Sequence, residues 1–495
     1  MKLLLIGHAY KYAVEQIMLS LFPGERPEYV ESAKELVGTA ASVRLTRSRA
    51  FDTAATRLFY RGEVFTGVAR RRRCEGDALE TDRVLQRLIK TSFYRAAVRA
   101  TGKKPVWGAL TGIRPGKIAT ALLEAGCSEK KALSTLVREY YLAPDRAALC
   151  LDTARAGMRA ERSLSERDIA LYVGIPFCPT RCAYCSFVSH SVEKSMALIP
   201  PFLEALHREI DAAADIVRHL ELNVACVYIG GGTPTTLTAG QLESLLSHLA
   251  GAFSLSAARE FTVEAGRPDT ITPEKLAALK AHGVWRVIVN PQTMCDDVLR
   301  AIGRRHTAEE TVAAMRLVRD AGFECVNMDL IAGLPGDTAE TFRRSLDTVL
   351  SMRPENITVH TLSRKKGTRI TLDNTPIPGG DEVGAMLDYA SQRLREEGYG
   401  PYYLYRQKYT SGGFENVGWS LPGFDSLYNI LIMEELRTVL ALGGGGVTKL
   451  VAPKIGRIER IFNAKYPYEY IAGIDGLIAR KAGVEAFYAR FFDGA

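Results

Sequence analysis

Residues 171 to 187 read L-Y-V-G-I-P-F-C-P-T-R-C-A-Y-C-S-F and constrain this chain more than any other stretch. An apolar strand over 171–175 is predicted to run into a loop carrying Cys178, Cys182 and Cys185. Thiolate is the usual protein ligand of iron–sulfur iron, so three thiols on one tight loop suit three corners of a four-iron cube and leave one iron open. Structural zinc normally takes four ligands, and no second Cys pair or Cys/His pair at zinc spacing follows, which makes zinc the weaker reading. The bland alternative is three buried or disulfide-forming thiols. Pro176, Pro179 and Arg181 argue against it, because a rigid polar loop is a poor place for core cysteines.

From Leu171 onward, short apolar runs alternate with helical patterns of ten or more residues, the signal for repeated βα units and a parallel sheet. Strands are predicted at 171–175, 224–229, 260–264, 284–289, 323–331 and 356–361. Helices are predicted between them, for example at 198–218, 239–250, 273–282, 308–321 and 338–352. Six such units make a partial (β/α) barrel, in which chemistry collects at the C-terminal ends of the strands. Polar residues stand at those ends in succession: G-G-G-T-P (Gly230 to Pro234), Glu264, Asn290 with Gln292, and Asp329 in an otherwise apolar run. Taken singly, each reads equally well as a satisfied core hydrogen bond or a tight turn; their recurrence at strand ends points to a site.

The spacing C-x3-C-x2-C, with Tyr184 before the last cysteine, resembles that of the radical S-adenosylmethionine (SAM) enzymes. The context Y-V-G-I-P-F-C (Tyr172 to Cys178) narrows the resemblance to the oxygen-independent coproporphyrinogen III oxidase family. The segment W-G-A-L-T-G-I-R-P-G-K (Trp107 to Lys117) is similar to the N-terminal extension of its HemZ-type subgroup. The resemblance implies an α/β fold: a partial (β/α)6 radical-SAM barrel over 166–375, preceded by an α+β N-terminal domain (1–165) and followed by a mostly helical C-terminal, substrate-side region (376–495). It implies a [4Fe-4S] cluster on Cys178, Cys182 and Cys185. It also implies SAM contacts from Tyr172, Tyr184, Gly231, Gly232, Thr233, Glu264, Gln292, Arg304 and Asp329, with Arg304 suited to the SAM carboxylate.

The activity implied is coproporphyrinogen dehydrogenase. An electron from a donor such as a flavodoxin or ferredoxin cleaves SAM, and the resulting 5′-deoxyadenosyl radical takes hydrogen from a propionate of coproporphyrinogen III. Loss of carbon dioxide and a further electron gives a vinyl group, twice over, yielding protoporphyrinogen IX. Arg364, Lys365, Lys366 and Arg369 are expected to hold propionates. One departure stands out: Phe187 follows Ser186 where oxidases of the family tend to carry a further cysteine. That form resembles HemZ-type and haem-chaperone-like relatives, so a haem carrier is the second reading and radical modification of RNA a distant third.

The RNA reading comes from charge. The chain of 495 residues has a formal net charge of +8, and residues 1–165 carry 29 Lys and Arg against 17 Asp and Glu. Such an excess suits RNA, a membrane surface or a polycarboxylate, or is a plain solvated face. Here strands are predicted at Lys2 to Ile6, 43–49 and 58–70, the last running into Arg70 to Arg73, with helices at 82–100 and 118–125. The Trp107 to Lys117 segment reads as an anion-binding turn or, better, as structural docking. Six single cysteines (Cys74, Cys127, Cys150, Cys226, Cys295, Cys325), an early polar N-terminus and the lack of a long apolar run lead to the expectation of a cytoplasmic protein without a membrane span.

Past the barrel, 382–397 reads as a helix. The five tyrosines between Tyr399 and Tyr409 suggest strand packing or a flat aromatic ligand. The glycines of 441–449 read as a loose cover or a helix end, and the last forty-five residues as helices.

Overall fold

The computed structural model describes residues 1–73, 77–186, 190–191 and 195–492; Cys74 and Phe187 lie outside the described residues. The chain divides into two compact units, Met1–Leu151 and Asp152–Ala495.

In the first unit, β1 (Lys2–Ile6) pairs in parallel with β2 (Glu28–Tyr29) and β3 (Ala40–Arg47), and β3, β4 (Phe51–Tyr60) and β5 (Glu63–Arg72) form an antiparallel meander. The single strand expected at 58–70 is therefore the end of one strand and most of the next. Arg61 and Gly62 both take positive φ, 52° and 83°. Two such residues make the two-residue hairpin turn whose twist matches its strands, and Arg-Gly is a less telling signal for it than Asn-Gly. Helix Ala78–Thr101 lies directly on β5: a Cβ at Gly67 would sit 2.1 Å from the Ser92 carbonyl oxygen. The Thr56 and Ser92 hydroxyls bond across this contact at 2.8 Å.

The arginine run sits on the outer strand of this sheet, with Arg70 3.6 Å from the centroid of the Phe51 ring. Charge on an outer strand discourages pairing with other chains, which is the solvated-edge reading of that run. Trp107 is buried, and the amide of Ala109 donates to the Tyr140 carbonyl at 2.9 Å, so its segment docks within the unit.

In the second unit, β6 (Asp168–Ile175) leads into a short parallel pair, β7 (Phe177–Cys178) and β8 (His190–Ser191). Then follow β9 (Asn223–Gly231), β10 (Glu260–Glu264), β11 (Arg286–Gln292), β12 (Cys325–Ala332) and β13 (Asn356–Thr361). Strands β6 and β9 to β13 are parallel and adjacent in chain order, with helices between them at Ile199–His219, Ala239–Ala252, Pro273–Ala281, Ala308–Asp320 and Ala339–Ser351. The hydroxyls of Thr238, Thr272, Thr307 and Thr338 each cap one of these helices by accepting a first-turn amide. A threonine before each apolar run is a helix start written into the sequence. The strands carry mainly Val, Ile and Leu and are buried, as parallel strands under helices must be. Phe177 packs edge-on to Phe202 of the first helix at 5.3 Å.

The C-terminal part holds more helix than strand yet widens the sheet at both edges. β14 (Gly400–Arg406) and β15 (Glu415–Ser420) add antiparallel next to β13. β16 (Val439–Gly443) adds parallel to β6, followed by antiparallel β17 (Val447–Ala452) and β18 (Arg457–Phe462). The eleven strands run β14-β15-β13-β12-β11-β10-β9-β6-β16-β17-β18, an open partial barrel with helices outside. The last forty-five residues thus hold a strand and the end of another before their helices begin at Pro467. Runs as short as R-I-E-R-I-F do not distinguish strand from helix by periodicity. The glycines of 441–449 form the turn between β16 and β17, not a helix end. No helix among the described residues is long and apolar enough to cross a membrane.

Candidate functional site

The cysteine loop is anchored where β6 meets β9. The Gly232 amide donates to Ile175 O at 2.8 Å and the Thr233 amide to Phe177 O at 2.7 Å. Gly231 has φ 111°, and a Cβ on Gly232 would lie 2.4 Å from Phe177 O and 3.0 Å from Cys178 Sγ. The glycines are therefore required for the approach of the two loops. Thr233 Oγ1 lies 3.5 Å from Cys178 Sγ. Farther along, Ala183 is pinned through its amide to Ile302 O and through its carbonyl to the Ile370 amide, at 2.9 and 3.2 Å.

The three cysteines line one cavity of about 380 Å³ at the C-terminal ends of the parallel strands, together with Tyr184, Gly231, Gly232, Thr233, Glu264, Gln292, Arg304 and Asp329. Tyr172 is not brought into this lining. It lies in register with Tyr228 on the next strand, and it is the Tyr228 ring that reaches the cavity; Tyr172 stacks behind, 6.2 Å from the rings of Tyr228 and Tyr428.

The charged groups fall into two sets. Glu264 accepts a hydrogen bond from the Tyr228 hydroxyl at 2.5 Å. Burial pushes its carboxyl up to about 7, with Tyr228 opposing the shift and the charge of Asp329 adding to it. Burial also pushes Asp329 up, but the His360 ring, 3.7 Å away, the Asn327 amide at 2.7 Å and Thr358 outweigh it and hold the carboxyl below its usual range. Two neighbouring acids are thus driven in opposite directions. The second set is Arg304, which donates to Asn290 O at 2.5 Å and to the Tyr184 hydroxyl at 3.3 Å.

Gln292 stands where the β11–β12 register shifts and has φ 69°, a left-handed conformation rare outside glycine. Its Oε1, Asn290 Oδ1 and Arg304 Nε are buried without a protein partner. Unpartnered buried polar atoms are uncommon, and two acceptors and a donor on one cavity fit a ligand bearing both kinds of group. Among the described residues no three His, Cys, Asp or Glu side chains form a ready metal-ligand set; the three thiols share one loop and one cavity. Soft sulfur donors of this kind suit iron–sulfur chemistry.

Sequence reasoning missed several lining residues. Tyr228 lies within the predicted strand at 224–229 and Arg267 three residues past Glu264, and neither carries a separate signal. Of the five tyrosines between Tyr399 and Tyr409, Tyr403 and Tyr405 line the cavity. A register shift in β14 between Pro401 and Tyr403 turns Tyr403 inward, over Gly418, where a Cβ would be 1.9 Å from its ring. Tyr402 instead takes a hydrogen bond from Asn429, Tyr399 donates to Pro354 O, and Tyr409 is exposed. Of the four basic residues expected to hold propionates, Lys365 lines the cavity. Arg364 turns to Asn374 at 3.1 Å, Arg369 is exposed beside Asp373, and Lys366 is exposed.

Residues 172–349 match the model of the Radical SAM superfamily. The oxygen-independent coproporphyrinogen-III oxidase-like protein HemZ of Bacillus subtilis is 40% identical over 375 residues, 75% of this chain and 75% of that protein. The heme chaperone HemW of Haemophilus influenzae is 27% identical over 308 residues, 62% of this chain and 76% of that one. The solved structure of coproporphyrinogen III oxidase HemN from Escherichia coli shares the fold with a TM-score of 0.51 at 23% identity, covering 65% of this chain and 72% of that chain. The cofactors of this superfamily are a [4Fe-4S] cluster and SAM. With its open parallel barrel, its three-cysteine loop and the extent of these likenesses, the chain belongs to the radical SAM superfamily, in the oxygen-independent coproporphyrinogen III oxidase family and its HemZ-type subgroup.

Proposed function

We propose that this chain carries out the oxygen-independent oxidative decarboxylation of coproporphyrinogen III to protoporphyrinogen IX, with Cys178, Cys182 and Cys185 as cluster ligands. In this reading Tyr184, Gly231, Gly232, Thr233, Glu264, Gln292, Arg304 and Asp329 hold SAM, and Tyr172 supports the wall behind Tyr228. When bound and reduced, the cluster and SAM supply the radical that abstracts hydrogen, while the protein positions them and keeps water out. Glu264 is suited to an ammonium group, which would draw its raised carboxyl into the ionised form. The Nε of Arg304 is suited to a carboxylate.

The observation that carries the reading is the single cavity that joins the cysteine loop and polar strand ends to Tyr403, Tyr405 and Lys365. Two aromatic rings and a cation suit a flat macrocycle with acidic arms. The likeness to HemZ, a protein named oxidase-like, supports it further. The reductant would be a flavodoxin- or ferredoxin-type donor. A haem-binding chaperone is the second reading. It is favoured by the likeness to HemW and by Lys365 alone, of the four expected cations, lining the cavity where a tetracarboxylate would use more.

The test is an anaerobic incubation of reconstituted protein with SAM, a strong reductant and coproporphyrinogen III, followed by mass spectrometry. Two successive oxidative decarboxylations, absent in Cys182→Ala, are expected. SAM cleavage with the tetrapyrrole unchanged would overturn the substrate, and tight stoichiometric haem binding without turnover would select the chaperone.

A further inference from the structure

We propose that Arg267 is a positioning residue for the cysteine loop, holding Thr180 between Cys178 and Cys182 so that the thiols are presented as a set; this rests on the reading that those thiols bind the cluster. Arg267 is 2% exposed. Its Nε and Nη2 donate to the two oxygens of Asp269, both at 2.9 Å, which fixes the plane of the guanidinium. Its Nη1 donates to Thr180 Oγ1 at 2.8 Å. Arg267 therefore spends its fork on the chain itself. Arg304, in the same cavity, keeps an Nε with no protein acceptor.

The base from which Arg267 reaches is rigid. The Thr270 hydroxyl, one residue past Asp269, donates to Arg267 O at 2.8 Å and lies 2.6 Å from Thr235 Oγ1. Lys275 Nζ donates to Thr235 O at 2.6 Å and to Thr270 O at 3.0 Å. The turns after β9 and β10 are thus one tied platform, and Arg267 extends it to the loop after β6. The sequence carries the residue as the last letter of V-E-A-G-R, with nothing to mark it as a partner of position 180.

The test uses the full chain, reconstituted anaerobically with iron and sulfide, in wild-type form and as Thr180→Val, Arg267→Met and Arg267→Lys. Outer-shell partners of metal ligands typically matter tenfold or more, so Thr180→Val and Arg267→Met are expected to lose iron to a chelator about tenfold faster than wild type. The reduced cluster of both should also show an altered electron paramagnetic resonance response to added SAM. Arg267→Lys should recover only part of the loss, since one ammonium cannot serve Asp269 and Thr180 in the same geometry. The melting temperature of Thr180→Val should stay at the wild-type value. Wild-type iron retention in Thr180→Val would overturn the proposal, and that variant decides alone if Arg267→Met fails to fold. A wild-type chain that takes up no cluster would instead overturn the reading of the thiols, a result distinct from variants that load as well as wild type.

Discussion

Two glutamates in the second unit, Glu209 buried and Glu264 half-buried on the cavity wall, have opposite surroundings. Glu209 is completely buried and accepts from the Gly443 amide at 2.7 Å, Asn463 Nδ2 at 2.7 Å and the Tyr470 hydroxyl at 2.6 Å, with Lys481 Nζ 3.0 Å away. Glu264 has the Tyr228 hydroxyl and the repelling charge of Asp329. The first acid has its acceptors filled by the chain and binds distant segments together. It holds the turn after β16 in place, and Gly444 of that turn donates to Gly174 O at 3.1 Å, just before the cysteine loop. The second keeps acceptor capacity facing the cavity. A carboxylate that serves the fold is saturated by protein donors; one that serves a ligand is left partly open.

Four substitutions break or sharpen this contrast. Lys481→Met leaves Glu209 buried without its cation and is expected to lower unfolding stability by about 3–5 kcal/mol in urea titrations. A variant as stable as wild type would break the comparison at once. Glu264→Gln should weaken SAM binding, read by calorimetry on the reconstituted protein, by about tenfold to a hundredfold, the value of a hydrogen bond to a charged group.

The same variant should change the pH dependence of stability. The folded-state pKa of Glu264 lies above its ordinary value of 4.5, at about 7, so the native state holds this proton more tightly than the unfolded chain. Its contribution is fully present below about 4.5 and is lost as pH rises through about 7. Urea midpoints at the two ends of that window should therefore fall in wild type relative to Glu264→Gln, and parallel curves would refute the assignment. Tyr228→Phe removes the single phenol and should cost about 1 kcal/mol. Loss of its opposing hydrogen bond should also move the Glu264 transition further up, by the same titration. Arg369→Glu, exposed and outside the cavity lining, should change stability by no more than about 0.5 kcal/mol and leave the KM for the proposed tetrapyrrole substrate unaltered.

The parallel core was legible at nearly its observed bounds because buried strands between helices are short runs of Val, Ile and Leu closed by glycine and proline, and four of the five helices between them open on a capping threonine. The cysteine motif, Gly230 to Pro234, Glu264, Gln292 and Asp329 were legible because strand ends of a parallel barrel face one side, so strand order alone collects them. Tyr172 and Tyr228 stand in register on adjacent strands, and period and motif do not say which of the two reaches the cavity. Of the C-terminal strands, β14 falls in the tyrosine run whose pattern suggests strand packing, while β15 to β18 are runs of five or six residues too short to show a period.

What the sequence determined by itself is local or periodic: the βα alternation, the caps, the cysteine spacing and the family likeness. Only the tertiary structure decided the rest. Strands β14 to β18 divide between the two edges of the sheet, Arg267 meets Thr180 from 87 residues away, and Glu209 meets its partners from 234, 254 and 261 residues away. The reason is physical. Satisfying a buried charge is a requirement on space, not on sequence distance, so the residue that meets it is chosen by the packed fold.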